Sequence, residues 1–209
     1  KIERMKDINE QLKEIKRSFR LMMNGVAAQS MREKGLDYHV NWGASVPMLK
    51  AKAKEIGKNR DLAIALWKED VRECKILATM VMPADEMLPE IVDIWMEQTT
   101  SVEMAEMASF NLYQYLPYAA DKAFQWMAST KPIYQICGFH VLSRLFMNGQ
   151  EPNERGINEF LDQAIAAIQG PSIAVRKAAV TCVIRFADLG LVYERLAKSA
   201  MKNVNLDVF

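Results

Sequence analysis

The sequence has few of the residues from which many active sites are built. Among its 209 residues are only two histidines, His39 and His140, and three cysteines, Cys74, Cys137 and Cys182. Their spacing matches no known zinc site, so we expect no bound metal. An odd number of cysteines in apolar, helix-like surroundings predicts buried free thiols in a reducing compartment rather than disulfides.

Several sequence patterns are also missing. The chain contains no glycine-rich dinucleotide motif, no phosphate-binding Gly-Lys-Ser/Thr loop and no nucleophile elbow, so we expect no cofactor. It has no uninterrupted apolar run of about eighteen residues, so we expect no membrane-spanning helix. The charged, amphipathic start KIERMKDINEQLKEIKR differs from a secretion signal, and we expect a cytoplasmic protein.

Charged residues are unevenly distributed, although the net charge is only +1. Residues 1–60 contain fourteen Lys and Arg against seven Asp and Glu, and residues 61–130 contain four against twelve. The remaining residues, 131–209, contain nine against seven. A polyanion would therefore be attracted to the first third of the chain and repelled by the middle third.

The periodicity of apolar residues predicts helices along almost the whole chain. Apolar side chains recur every three or four residues in the first segment, at Ile8, Leu12, Ile15, Phe19 and Met22. A second stripe of this kind is formed by Leu49, Ala53 and Ile56. Glycines and prolines divide the remainder into segments of helical length, and no segment alternates as a strand would. We expect an all-α protein with a single domain over residues 1–209.

A short pattern of an apolar residue followed by polar and small residues recurs along the chain. It begins at Val71, Val102, Tyr134 and Val175, at intervals of 31, 32 and 41 residues. The pattern resembles a degenerate HEAT repeat, in which stacked helical pairs close the core and small residues such as Gly138 let backbones approach. We expect a HEAT-like helical-repeat solenoid of about six helical pairs, with an irregular helical bundle as the alternative.

The stretch from Asn41 to Met82 carries a more specific pattern. A Gly-x-x-x-Pro-x-Leu segment leads into a basic helix, a Leu-Ala-x-x-Leu-Trp helix follows, and an acidic step precedes an alanine-containing helix with an arginine. This stretch resembles the HEAT-like DNA alkylation repair family, the alkylpurine DNA glycosylases, and a weaker colinear resemblance covers residues 95–190. The resemblance implies a curved solenoid that lays double-stranded DNA along a basic concave face. Active members of the family remove cationic N3- or N7-alkylated purines.

The excision site that the resemblance implies does not match this sequence. Active members carry an Asp, a few residues after a Trp, on the helix corresponding to residues 101–116. Here Met107 stands in place of the Asp, Glu106 precedes it, Glu103 lies one turn earlier, and this part of the chain has no Trp. The family's Arg and second Trp fall near Gln135 and Ile136 and near Thr181 and Cys182. We expect a lost or altered excision site. The alternative is an active glycosylase in which Glu106 stabilises the sugar cation.

Basic residues predict a surface that binds DNA phosphates without reading base sequence. Lys50, Lys54 and Lys58 recur every four residues, which would place them on one helix face. Arg72 and Arg176 occupy equivalent positions of the repeat. We expect double-stranded DNA, alkylated or not, as the partner of a monomeric protein. The alternative is a scaffold that binds a protein or peptide on the same surface. The candidate residues are Lys50, Lys54, Lys58, Arg60, Arg72, Arg176 and Lys177.

Overall fold

The computed structural model describes residues 7–202 and residue 204, and this part of the chain is helical without a β-strand. The all-α prediction is therefore confirmed. Two short 3₁₀ helices cover Ala84–Glu86 and Tyr113–Tyr115. None of the α-helices has the length and apolar character that a membrane span requires. The α-helices of the described residues, α1 to α12, are Ile8–Leu21, Gly25–Glu33, Val46–Ile56, Arg60–Lys68, Arg72–Val81, Pro89–Glu97, Val102–Asn111, Ala119–Met127, Pro132–Met147, Glu154–Gln169, Ile173–Ala187 and Leu191–Met201.

The recurring sequence pattern falls at the start of every second helix from α5 to α11. Val71 is the N-cap of α5 and Val102 is the first residue of α7. Tyr134 and Val175 are each the third residue of their helices, α9 and α11. Each of three such helices packs against the helix before it, α5 on α4, α9 on α8 and α11 on α10. The helices therefore form pairs, as the repeat spacing predicts.

The chain divides into two compact units, Lys1–Met107 and Ala108–Phe209. In the first unit, α3 and α4 both pack against α5, and α1 packs against α4. In the second unit, α9 contacts both α8 and α11, and α12 packs against α10 and α11. The contact between α9 and α11 is the stacking of consecutive repeats that closes a helical-repeat core. The single domain over residues 1–209 stays a prediction.

Aromatic side chains join three helices of the first unit. The rings of Trp67 and Trp95 stack with centroids 4.2 Å apart and an interplanar angle of 3°. The indole Nε1 of Trp67 donates a 2.7 Å hydrogen bond to Gln98 Oε1, and the Lys75 Nζ lies 4.8 Å from the centroid of the same ring. Both tryptophans are buried, so they contribute to the core and not to an open binding surface.

The three cysteines are buried thiols that form no disulfide, as the sequence predicts. Burial raises the pKa of the Cys74 thiol to about 12, and that of Cys137 to about 12. Burial also raises the pKa of Cys182 well above its usual value. Because the thiolate is the reactive form, these side chains behave as small apolar core residues near neutral pH.

Candidate nucleic-acid interface

Two of the predicted phosphate-binding residues, Lys50 and Lys54, lie on the exposed side of α3. They are four residues apart and therefore project from the same side of the helix, while Leu49 is fully buried on another side. Neither lysine forms an ion pair with another residue in the described part of the chain. We call Lys50 and Lys54 the lysine face. It is a pair of exposed, uncompensated positive charges on a regular helix.

Lys58 does not belong to the lysine face, which corrects the prediction of three lysines on one helix side. α3 has already ended at this point, and Gly57 has a positive φ of +77° that redirects the backbone. The Lys58 Nζ donates hydrogen bonds to the carbonyl oxygens of Met80 and Met82, at 2.9 and 3.1 Å. These carbonyls lie at the C-terminal end of α5, where a cation is favoured. Burial lowers the pKa of Lys58 below its usual value.

The other predicted cations outside the core differ in their surroundings. Arg60 is the first residue of α4 and is half-buried. Arg176 and Lys177 are exposed on α11 in the second unit. They line an open cavity of about 720 Å³ together with apolar residues that include Ile168 and Ile173. Their role in phosphate binding stays a prediction.

Arg72 is buried, with only 2% of its surface exposed, so it cannot contact a phosphate on the protein surface. Its Nη2 donates a 2.6 Å hydrogen bond to Glu103 Oε1, and its Nε also donates to the Glu103 carboxylate. Its Nη1 donates to the carbonyl oxygen of Ala44 at 2.9 Å and to Glu73 Oε1 at 3.3 Å. This arrangement corrects the sequence prediction for Arg72. The residue at the equivalent repeat position, Arg176, is exposed.

The two carboxylates that pair with Arg72 accept hydrogen bonds from other donors as well. Glu73 accepts from the backbone N–H groups of Trp42 and Ala44, each at 3.2 Å. The Tyr38 hydroxyl donates to Glu103 Oε2 at 3.2 Å. Burial raises the pKa of Tyr38 above its usual value, so the hydroxyl keeps its proton and remains a donor.

We refer to these four side chains, Arg72, Glu73, Glu103 and Tyr38, as the ion-pair network. Burial alone lowers the pKa of the Arg72 guanidinium, but its hydrogen bonds with Glu103 and the two carboxylate charges outweigh burial and raise the pKa. All four side chains belong to the first unit. The network fixes the segment before α3 to the start of α5 and to the start of α7. Two of its members, Arg72 and Glu73, lie in the stretch from Asn41 to Met82, in which the family resemblance is most specific.

The helix that carries the candidate catalytic carboxylates is α7. Glu103 is held by Arg72 and Tyr38, so its carboxylate is committed to the ion-pair network. Glu106 and Met107 are both half-buried. No tryptophan occurs on α7. Glu106 is the other carboxylate of this helix.

Aromatic residues of the second unit contact side chains of their own unit. The guanidinium carbon of Arg144 lies 4.3 Å from the centroid of the Phe110 ring, and the His140 ring meets Phe110 edge-on at 4.9 Å. Tyr113 is buried and packs against Trp126 with centroids 5.1 Å apart.

Within the described residues, no group of three His, Cys, Asp or Glu side chains is arranged to hold a metal ion.

Paired helices with a stacked repeat define a helical-repeat protein. The model of the DNA alkylation repair enzyme family matches residues 15–206, so the chain belongs to that family. It also resembles a solved structure from "A new family of proteins related to the HEAT-like repeat DNA glycosylases with affinity for branched DNA structures". The identity is 17%, the TM-score is 0.82, and the match covers 92% of this chain and 82% of that chain. This likeness confirms the HEAT-like fold. No curated protein matches the sequence significantly.

Proposed function

We propose that this chain is a DNA-binding member of the DNA alkylation repair family in which the usual base-excision site is lost or altered. The observation that carries the proposal is the lysine face. Lys50 and Lys54 are exposed on α3, have no ion-pair partner in the described chain, and lie in the most positively charged third of the sequence. Lysines in this setting bind phosphates as point charges and release counterions from DNA.

Double-stranded DNA is the proposed ligand, and branched DNA is included. Family membership supports DNA as the partner, and the structurally similar protein belongs to a family with affinity for branched DNA. Arg60, Arg176 and Lys177 are proposed as additional phosphate contacts. A monomeric state and a cytoplasmic location remain predictions.

The proposed loss of base excision follows from the side chains at the positions of the family's active residues. Excision of a cationic purine requires a carboxylate near the sugar and an aromatic face near the base. Met107 replaces the carboxylate, and Glu103 is bound by Arg72. The other two positions fall near Gln135 and Ile136 and near Thr181 and Cys182, and none of these residues is the arginine or the tryptophan that the family carries there. The absence of the family's residues at these positions supports a lost or altered excision site, and Glu106 stays the alternative carboxylate.

Reversing the charge of the lysine face is expected to weaken DNA binding strongly. Lys50→Glu combined with Lys54→Glu removes two phosphate contacts and adds two repulsive charges. We expect affinity for a short linear duplex to fall by about tenfold or more, and the slope of log K against log[salt] to become shallower by about 2. Fluorescence anisotropy with a labelled duplex, titrated at several salt concentrations, measures both quantities.

The matched control is Lys198→Glu combined with Lys202→Glu. These residues are also exposed and four residues apart, and their reversal changes the net charge by the same amount. Lys198 pairs with Glu194 at 2.6 Å, so the control also removes one surface ion pair, which contributes little to stability. We expect the control to keep most of the duplex affinity and the steep salt dependence. Equal losses in the two variants would reject the lysine face as the binding surface. If the unmodified protein bound no DNA even at low salt, the proposed function would be wrong, and a protein-binding or peptide-binding scaffold would remain.

A further inference from the structure

The turn between α1 and α2 exposes an unusual amount of apolar surface. Leu21 is 90% exposed, Met23 64% and Val26 82%, all within six consecutive residues. Single exposed apolar residues are common on protein surfaces, but a cluster of large ones indicates a contact site. We call residues 21–26 the α1–α2 turn. The sequence periodicity does not reveal this cluster, because its residues follow directly on the apolar stripe of α1.

The α1–α2 turn is held in place by specific hydrogen bonds. The backbone N–H of Asn24 donates to the carbonyl oxygen of Trp42 at 2.8 Å, and the Asn24 side chain caps α2 by accepting from the N–H of Ala27 at 3.0 Å. Gly43 packs closely against the turn. An added Cβ there would meet the Asn24 carbonyl oxygen and would lie 2.8 Å from the Ala28 nitrogen. The apolar side chains therefore project from a fixed backbone.

The segment that supports this turn is itself anchored in the interior of the first unit. Trp42 packs against the buried ring of Phe19 with centroids 5.7 Å apart. The N–H of Trp42 donates to Glu73, which pairs with Arg72. The ion-pair network thus extends its support through Trp42 to the α1–α2 turn. Apolar side chains on a backbone that is already fixed can be inserted into a partner at a lower cost in conformational entropy.

The exposed side of α1, next to the α1–α2 turn, carries positive charge, which indicates a polyanionic partner. Lys13, Arg17 and Arg20 are exposed and share the side of α1 opposite Ile15 and Phe19, which are buried. None of the three cations forms an ion pair with another residue of the described chain. The exposed apolar side chains of the α1–α2 turn lie next to arginines without ion-pair partners. This combination suits a nucleic acid, in which apolar base faces and charged phosphates lie side by side.

We infer, on the basis of the proposed DNA binding, that the α1–α2 turn is an apolar wedge that recognises branch points in DNA. Leu21 and Met23 insert against the base pair that is left uncovered where two helical arms separate. Arg17 and Arg20 contact the adjacent phosphates. In a linear duplex the same insertion requires a base step to unstack, which costs free energy. At a branch the stacking is already interrupted, so the wedge favours branched over linear DNA.

The test compares a four-way junction with a linear duplex of the same arm sequence. Leu21→Ala combined with Met23→Ala truncates the wedge without touching the basic surface or the core. We expect this variant to bind the junction about tenfold more weakly while its duplex affinity stays within about twofold. A 2-aminopurine next to the branch point should brighten when the unmodified protein binds and should brighten less with the variant. Fluorescence anisotropy gives the affinities.

The control is Leu191→Ala combined with Val192→Ala, which removes similarly exposed apolar side chains from α12 in the second unit. We expect its junction affinity to equal that of the unmodified protein. If the wedge variant keeps the full preference for the junction, or if the unmodified protein shows no preference, the wedge is wrong and DNA binding stands. If neither DNA is bound, the proposed function fails and the wedge with it. If the unmodified protein is a dimer and the wedge variant is a monomer, the turn serves self-association and the inference is overturned.

Discussion

Arg72→Ala is expected to lower the free energy of unfolding by about 3–5 kcal/mol, because it breaks a buried ion pair. The substitution leaves Glu73 without its cation in a fully buried position, and it removes the charged hydrogen bonds to Glu103. The carbonyl oxygen of Ala44 also loses a donor. Urea denaturation followed by circular dichroism measures the change.

Arg176→Ala provides the matched control, because the two arginines occupy equivalent positions of the sequence repeat. Arg176 is exposed, so its removal should change stability by no more than about 0.5 kcal/mol. Arg72→Lys keeps the charge but cannot reproduce all the hydrogen bonds, and we expect an intermediate loss. Similar stabilities of Arg72→Ala and Arg176→Ala would contradict the buried ion-pair network.

Gly138→Ala is expected to destabilise the second unit by about 1–3 kcal/mol, even though alanine has the higher helix propensity. A Cβ at this position would lie 2.6 Å from the Met127 nitrogen and 2.7 Å from the Ala123 carbonyl oxygen. Both are backbone atoms of α8, so the clash is relieved only if α8 moves away from α9. Thermal and urea denaturation measure the loss.

Gly25→Ala is the control for this glycine. Gly25 lies in the first turn of α2, and a Cβ there would meet nothing within 4 Å. The expected effect is therefore neutral to stabilising, by up to about 1 kcal/mol, opposite in sign to that of Gly138→Ala. A neutral Gly138→Ala would show that α8 and α9 do not approach as closely as the structure places them.

The helices and their pairing could be predicted because the signals for both are local. Apolar periodicity identifies a helix face within a few turns, and the pattern starting at Val71 and Tyr134 marks the helices that stack. Stacked repeats also require small residues where two helix backbones approach each other, and Gly138 is such a residue. The burial of the three cysteine thiols could be predicted from their apolar neighbours in the sequence.

The candidate site was harder to predict because burial depends on distant partners. Arg72 and Arg176 have the same pattern around them, but only Arg72 meets a carboxylate 31 residues away in sequence, on Glu103. The spacing of Lys58 fits the lysine face, yet the backbone turns at Gly57 and directs its side chain to the end of α5. Sequence periodicity contains neither piece of information, because both are tertiary contacts.

DNA binding without the family's base excision is tested most directly by following both processes in one reaction. A short duplex containing N3-methyladenine and N7-methylguanine is incubated at protein concentrations at which anisotropy shows it to be bound. We expect base release at the protein-free rate, with the unmodified protein and with Glu106→Gln alike. Release well above that rate, abolished by Glu106→Gln, would contradict the proposed loss of the excision site and identify Glu106 as the carboxylate that stabilises the sugar cation.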